Sequence, residues 1–246
     1  MKDNFSSQSD KYAQFRPTYP DGLYNYLLSL VKAKDRAWDC GTGNGQVAQQ
    51  LAKYFKRVDA TDISRQQLEN APEIPNIDYT VQPAEKTNFP ADAFDLITVA
   101  QAIHWFDFDV FYKEVHRTIK NNGILAVIGY NLPTFTKELD TVIAGFYRSV
   151  IGPYWDKERR YIDENYQTIP FPWPDLPNPI LKIEFEWTLE HLYGYIGTWS
   201  AVKHYQKDKK ADPLDLIRAD LKKAWGSTPT QKGYFPILLR VAKIEK

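Results

Sequence analysis

At 246 residues the chain has the length of one α/β domain with an elaboration. Its 31 Lys and Arg balance 31 Asp and Glu, so no basic footprint for nucleic acid or an anionic membrane is present. The amino terminus, Met1 to Asp10, lacks the apolar core of a signal peptide, and the longest apolar run, Ile124 to Ile128, is far too short to span a bilayer. The one cysteine, Cys40, has no partner for an internal disulfide, and no Cys/His cluster has metal-ligand spacing. These features predict a cytoplasmic, metal-independent protein, a monomer or weak homodimer, with neither nucleic acid nor membrane as partner.

Leu23, Leu27, Leu28 and Val31 recur at helical spacing and predict an amphipathic helix ahead of the first strand. That strand, Arg36 to Cys40, runs into Gly41, Gly43 and Gly45, and an amphipathic segment from Gln46 to Phe55 follows at once. Strand two is Val58 to Ile63, and Ser64 is the N-cap of a helix near Ser64 to Asn70. Strands three and four are Ile77 to Val81 and the apolar run Phe94 to Ala100. Phe108, Phe111, Val115 and Ile119 share one face of a helix over Asp107 to Ile119, which Asn121-Asn122-Gly123 stops before strand five, Ile124 to Tyr130. Apolar runs alternating with helical periodicity favour a parallel sheet with crossover helices.

After Tyr130 the alternation breaks. A helix is predicted over Thr136 to Ile151, then a proline-rich irregular stretch from Ile169 to Pro179. Ile180 to Leu189 alternates apolar and polar residues, as a half-exposed strand should. Helices over Leu192 to Tyr205 and Pro213 to Trp225 precede a last strand, Phe235 to Ile244. This inserted, aromatic-rich material is where a lid or substrate wall would sit.

The stretch Trp38-Asp-Cys-Gly-Thr-Gly-Asn-Gly45 carries the chemistry. A strand turning sharply into a helix on glycines lets backbone N–H groups approach a ligand. Asp62 closes the next strand, 21 positions after Gly41, the usual spacing for a carboxylate on ribose hydroxyls. A dinucleotide fingerprint wants its third glycine where Gln46 stands, and no Lys-Ser or Lys-Thr pair follows to make a P-loop.

The pattern Asp39-x-Gly41-x-Gly43-x-Gly45 resembles the cofactor loop of class I S-adenosylmethionine-dependent methyltransferases. Tyr12-Ala-Gln-Phe-Arg16-Pro-Thr-Tyr19-Pro, Ala100-Gln-Ala-Ile-His104-Trp105-Phe106 and Thr198-Trp199-Ser-Ala-Val resemble the methyltransferase type 11 subgroup that includes trans-aconitate methyltransferase-like proteins. The resemblance implies a Rossmann-like, seven-stranded, mostly parallel sheet with helices on both faces and an inserted lid after strand five. It divides one methyltransferase domain into a cap and helix (1–34), a cofactor-binding core (35–130), a substrate-side insertion (131–233) and a final strand (234–246).

It further implies S-adenosylmethionine as cofactor, held by Gly41, Gly43, Gly45 and Asp39 at the loop and by Asp62 and Ile63 at the ribose. Ala84 and Glu85 fall where the family positions adenine, although the acid that many members carry before this alanine is replaced here by Gln82 and Pro83. Tyr12 and Arg16 belong to a segment that folds over the cofactor, and Gln101 follows strand four. Arg16 suits a carboxylate on either cofactor or substrate. Tyr19, Trp105 and Trp199 are candidate substrate contacts, with Trp155 and Trp173 as further candidates for the cavity wall. His104 is the candidate catalytic residue, as base or hydrogen-bond donor, with a purely structural histidine as the alternative. Asp39 either serves the cofactor or caps a helix.

The implied activity is methyl transfer to a small-molecule acceptor, a carboxylic acid before a phenolic or lipid-like metabolite. The competing readings are a nicotinamide-dependent oxidoreductase, disfavoured by Gln46, and a non-catalytic cofactor-binding sensor or scaffold.

Overall fold

The computed structural model describes residues 15–246, so the expectation for Tyr12 lies outside the described residues. Seven strands form one sheet in the order β3-β2-β1-β4-β5-β7-β6. Strands β1 (Arg36–Cys40), β2 (Arg57–Asp62), β3 (Ile77–Val81), β4 (Phe94–Ala100) and β5 (Ile119–Tyr130) pair in parallel. Strand β7 (Gln231–Ile244) runs antiparallel to both β5 and β6 (Lys182–Trp187). The predicted Rossmann-like architecture is therefore present, with its antiparallel strand next to the edge.

Strand side chains alternate between faces, and this sets the layers. Ala37 points into a core built with Leu23 and Leu27 of α1 (Asp21–Leu30) and Val47 and Leu51 of α2 (Gln46–Leu51). Its neighbour Trp38 packs on the other face with Phe94 and with Phe111 and Val115 of α4 (Phe108–Thr118). The short α3 (Arg65–Glu69) follows β2, and Ser64 caps it as predicted, its hydroxyl accepting from the Gln67 N–H at 3.3 Å. A third, aromatic core joins the end of the sheet to the inserted segment through Tyr130, Phe146, Trp187, Tyr195, Trp199 and Phe235.

Among the boundaries that differ from the sequence expectation, four change how an element is read. Asn121-Asn122-Gly123 is a bulge inside β5 rather than a turn before it: Phe94 already pairs with Ile119, and pairing resumes at Leu96 with Ile124. Asn122 absorbs the irregularity at φ +64°. The predicted last strand begins earlier, at Gln231, because β6 pairs with residues 231–236 while β5 pairs with 237–244. The polar Gln231-Lys232-Gly233 gives no apolar signal for that first half. Helix α2 ends at Leu51, and only turns continue to Phe55.

The expected helix over Leu192 to Tyr205 is broken into α7 (Leu189–Gly197) and α8 (Ser200–Lys209). Trp199 lies in extended backbone between them and turns into the aromatic core. Helix α5 (Lys137–Gly145) passes into a wide turn to Val150, and α6 (Arg160–Asp163) and α9 (Arg218–Trp225) complete the insertion. No helix among the described residues is long and apolar enough to cross a membrane.

Strand order reverses between β1 and β4, since the chain winds outward through β2 and β3 before returning. Ligands of open α/β sheets bind outside the carboxyl ends of the strands at such a point. The segments emerging there are the glycine loop after β1 and Gln101 to Trp105 after β4.

Candidate functional site

The glycine loop is held by β2. The N–H groups of Gly41 and Thr42 both donate to the Thr61 carbonyl, at 2.8 and 2.9 Å. Gly41 has φ +68°, and a Cβ there would stand 2.6 Å from the Cβ of Ala102, so the β1 and β4 loops touch through that missing side chain. Gly43 has φ +56° and is the opposite case. A Cβ there would meet only the Gln67 side chain at 3.9 Å and would otherwise project into an open cleft. Gly45 stands at the N-cap of α2.

Asp62, at the end of β2, joins the two loops. One oxygen accepts from the Gly43 N–H at 2.9 Å and the other from the Ser64 N–H at 2.9 Å. These two bonds orient the carboxylate at the border of the glycine loop. Asp39 is buried and accepts from the hydroxyls of Thr42 at 2.6 Å and Thr98 at 2.7 Å. Burial pushes its carboxyl up to about 6, against the pull of those hydrogen bonds. Gly45 holds the N-cap position of α2, and the Ala48 N–H in the first turn of that helix also reaches the Asp39 carboxylate, so Asp39 serves the helix start as well as the loop. The thiol of Cys40 is buried and pushed well above its ordinary range by desolvation, then by neighbouring carboxylates, so it is packing and not a nucleophile.

These groups border a cleft enclosing about 920 Å³, part of it open to solvent. Asp39, Gly41, Gly43, Asp62 and Ile63 form one wall; Gln101, Trp105, Arg16 and Tyr19 form the other. Gly45, Ala84 and Glu85 do not line it. Ala84 is buried in the core beside Trp38, and Glu85 accepts from the Asp107 N–H at 3.1 Å, where it helps to start α4.

A second cavity, enclosing about 480 Å³ with part of it open to solvent, adjoins the first. Arg16, Gln101 and Trp105 line both. His104, Trp155, Arg159 and Trp199 line the second alone. Gln101 is fixed in left-handed backbone at φ +54° by its N–H to the Ile128 carbonyl and by its side-chain amide to the Tyr130 carbonyl. Arg16 donates to the Tyr130 hydroxyl at 3.2 Å and lies over the Tyr195 ring.

His104 sits on a short 3₁₀ turn, Ile103–Trp105, with its Nδ1 at 3.3 Å from the Tyr166 hydroxyl. Burial, then the nearby positive charge of Arg159, lowers its pKa to about 3, so the ring is neutral at physiological pH. Trp173 is not part of either cavity; it packs edge-on against Tyr112 of α4, with ring centroids 5.4 Å apart. Sequence reasoning missed Arg159. It belongs to the charged run Lys157-Glu-Arg-Arg160, which reads as solvated surface.

The cleft fits a nucleoside-bearing sulfonium cofactor. Its walls offer a fixed carboxylate, a glycine at which a side chain would enter the binding space, and mixed polar and apolar surface. Comparison with known proteins agrees. A methyltransferase-domain family model matches residues 38–127. A Dictyostelium discoideum chain named as a methyltransferase is 36% identical over 99% of this chain and 95% of its own length. A Saccharomyces cerevisiae chain named as an S-adenosylmethionine-dependent methyltransferase is 23% identical, over 89% of this chain and 88% of its own. The structure of a type II methyltransferase from Anaeromyxobacter dehalogenans superposes with a TM-score of 0.86 at 38% identity, covering 94% of this chain and 99% of that one. The chain belongs to the methyltransferase family of the Rossmann-like fold. It is an enzyme, and its methyl donor is S-adenosylmethionine.

Proposed function

We propose that the second cavity seats a small-molecule methyl acceptor, a carboxylic acid in first place, and that the chain falls with the trans-aconitate methyltransferase-like proteins. The observation that carries this reading is the shared wall. Arg16, Gln101 and Trp105 border both spaces, so a molecule in the second meets one in the first across these three side chains.

S-adenosylmethionine supplies a methyl group already activated on a sulfonium. Asp62 takes the ribose hydroxyls by charge-assisted hydrogen bonds, and Ile63 lies beside it on the same wall. Gly41 and Gly43 let backbone approach the methionine part, with Asp39 as the acid behind the loop. Arg16 and Gln101 border both the cofactor space and the acceptor space. Neither Ala84 nor Glu85 lines the cleft, so the adenine contact falls to other groups of its wall. Trp105 and Trp199 exclude water and wall the acceptor, while Tyr19 borders the cofactor cleft.

The remaining work is alignment. Holding two reactants in near-attack geometry is worth roughly 7–11 kcal/mol. His104, neutral with a pKa near 3, is a weak base but a competent hydrogen-bonding partner. A carboxylate acceptor is ionised at neutral pH and needs no base, which suits a site whose one histidine holds its proton poorly.

The test is a turnover screen of carboxylates, phenols and amines, with S-adenosylhomocysteine and the methylated product read by mass spectrometry. Methyl esters from carboxylates are expected. Turnover confined to amines or neutral phenols would overturn the acceptor reading.

A further inference from the structure

Within the second cavity one side chain has the form of an anion clamp. Arg159 carries a single protein hydrogen bond among the described residues, from Nε to the Tyr147 hydroxyl at 2.8 Å. Tyr147 in turn donates to Asp163 at 2.5 Å. The guanidinium carbon lies 4.7 Å from the Trp155 centroid and 5.4 Å from that of Tyr147, and because those centroids are only 4.9 Å apart the two rings pack on one side of it. Asp163 stands 3.7 Å from Nε, on the side of the group already used. Both Nη nitrogens are left without a hydrogen bond to any described residue, on a side chain only 19% exposed that lines the cavity.

Pinning Nε and packing both rings on one side leaves the edge formed by the two Nη groups to supply donors to the cavity. That edge matches a carboxylate in bidentate geometry, which a lysine cannot reproduce. We propose that Arg159 anchors a carboxylate of the acceptor which is not the group that receives the methyl. The inference rests on the second cavity being the acceptor's seat.

Two observations separate anchor from reacting group. Arg159 lines the second cavity but not the cofactor cleft, whereas Arg16 lines both. A carboxylate engaged by two N–H···O bonds also has its oxygens tied up and is a poorer nucleophile. The substrate class is therefore bifunctional: an acid that carries a second nucleophile, either another carboxylate or a hydroxyl, at the end near Arg16. Arg159 is a specificity-determining residue, and Tyr147 positions it.

The experiment titrates the protein, loaded with S-adenosylhomocysteine, with a panel of dicarboxylates and hydroxy acids that includes glutarate, fumarate and para-hydroxybenzoate. Each is set beside its amide, in which the anchoring acid is neutral. The wild type should prefer acid to amide by roughly 10- to 100-fold, the range for a hydrogen-bonded charge pair. Arg159→Met should abolish that preference while binding S-adenosylhomocysteine as the wild type does. Arg159→Lys should recover only part of it. Tyr147→Phe should raise KM for the acids and leave kcat nearly unchanged.

A collapsed lid would weaken acid and amide equally, so the ratio separates recognition from folding. Equal preference in the wild type, or an unchanged ratio in Arg159→Met, overturns the assignment. Turnover of monofunctional acids with the ratio unchanged would still leave the carboxylic-acid acceptor standing, so the two readings fail separately.

Discussion

Asp62 acts on both sides of the cleft wall. Its bonds to the Gly43 and Ser64 N–H groups fix the glycine loop, and the residue lines the cleft that the loop borders. Asp62→Ala should therefore weaken S-adenosylmethionine binding roughly 10- to 100-fold, the worth of a hydrogen bond to a charged group. Isothermal titration measures it, and unchanged affinity would remove the ribose assignment. Gly41 is constrained differently. Alanine there must adopt φ +68° and meet Ala102 at 2.6 Å, so Gly41→Ala should cost about 1–3 kcal/mol of stability in denaturant titrations, with or without cofactor.

At the scale of elements, α4 and β5 each carry one residue whose role a substitution can test. Asp107 caps α4, its side chain accepting from the Val110 N–H at 3.2 Å while its own N–H donates to Glu85. Asp107→Ala should lower stability by about 1 kcal/mol, seen as a reduced Tm. Gly129 in β5 is more closely tied to function. A Cβ there would stand 2.6 Å from the ring of Tyr166, which is fully buried and whose hydroxyl meets His104. Neither ring nor strand can retreat cheaply in a close-packed interior. Gly129→Ala should displace Tyr166 and His104 together, raising the acceptor's KM several-fold while cofactor affinity stays near wild type. Equal losses in both would show that the strand, and not the cavity, had been disturbed.

Over the whole molecule two buried titratable groups give stability opposite slopes against pH. His104 has a native pKa near 3 against an ordinary 6.5, so between those values the unfolded chain binds a proton that the native one refuses. Its contribution is fully present above pH 6.5 and is lost as pH falls towards 3. Asp39 has a native pKa near 6 against 3.8, so between these values the native chain holds a proton that the unfolded chain releases. Its contribution is present below pH 3.8 and is lost as pH rises through 6. Tm followed from pH 4 to 7 should fall less on acidification in His104→Gln than in the wild type, and more steeply in Asp39→Asn.

The same scale separates what was legible in the chain from what was not. Trp38 to Gly45 and Asp62 declare a nucleoside cofactor because local geometry enforces them: a strand-to-helix turn needs glycines, and a strand end places an acid whatever lies beyond. Strands β1, β3 and β4 were legible to the residue: β1 and β4 lie inside the parallel sheet and read as short apolar runs between turn signals, whereas β3 is its exposed edge and mixes apolar and polar residues in Ile77-Asp-Tyr-Thr-Val81. The sequence alone thus determined the fold and the methyl donor. Only tertiary structure decided that Asn121-Asn122-Gly123 is a bulge, because β4 pairs on both sides of it. Only tertiary structure took Trp173 out of the cavity and brought Arg159 in. A charged run in a lid has no local signature of burial; Tyr147, Trp155 and Asp163 turn Arg159 inward, and that enclosure exists only once the insertion has folded onto the sheet.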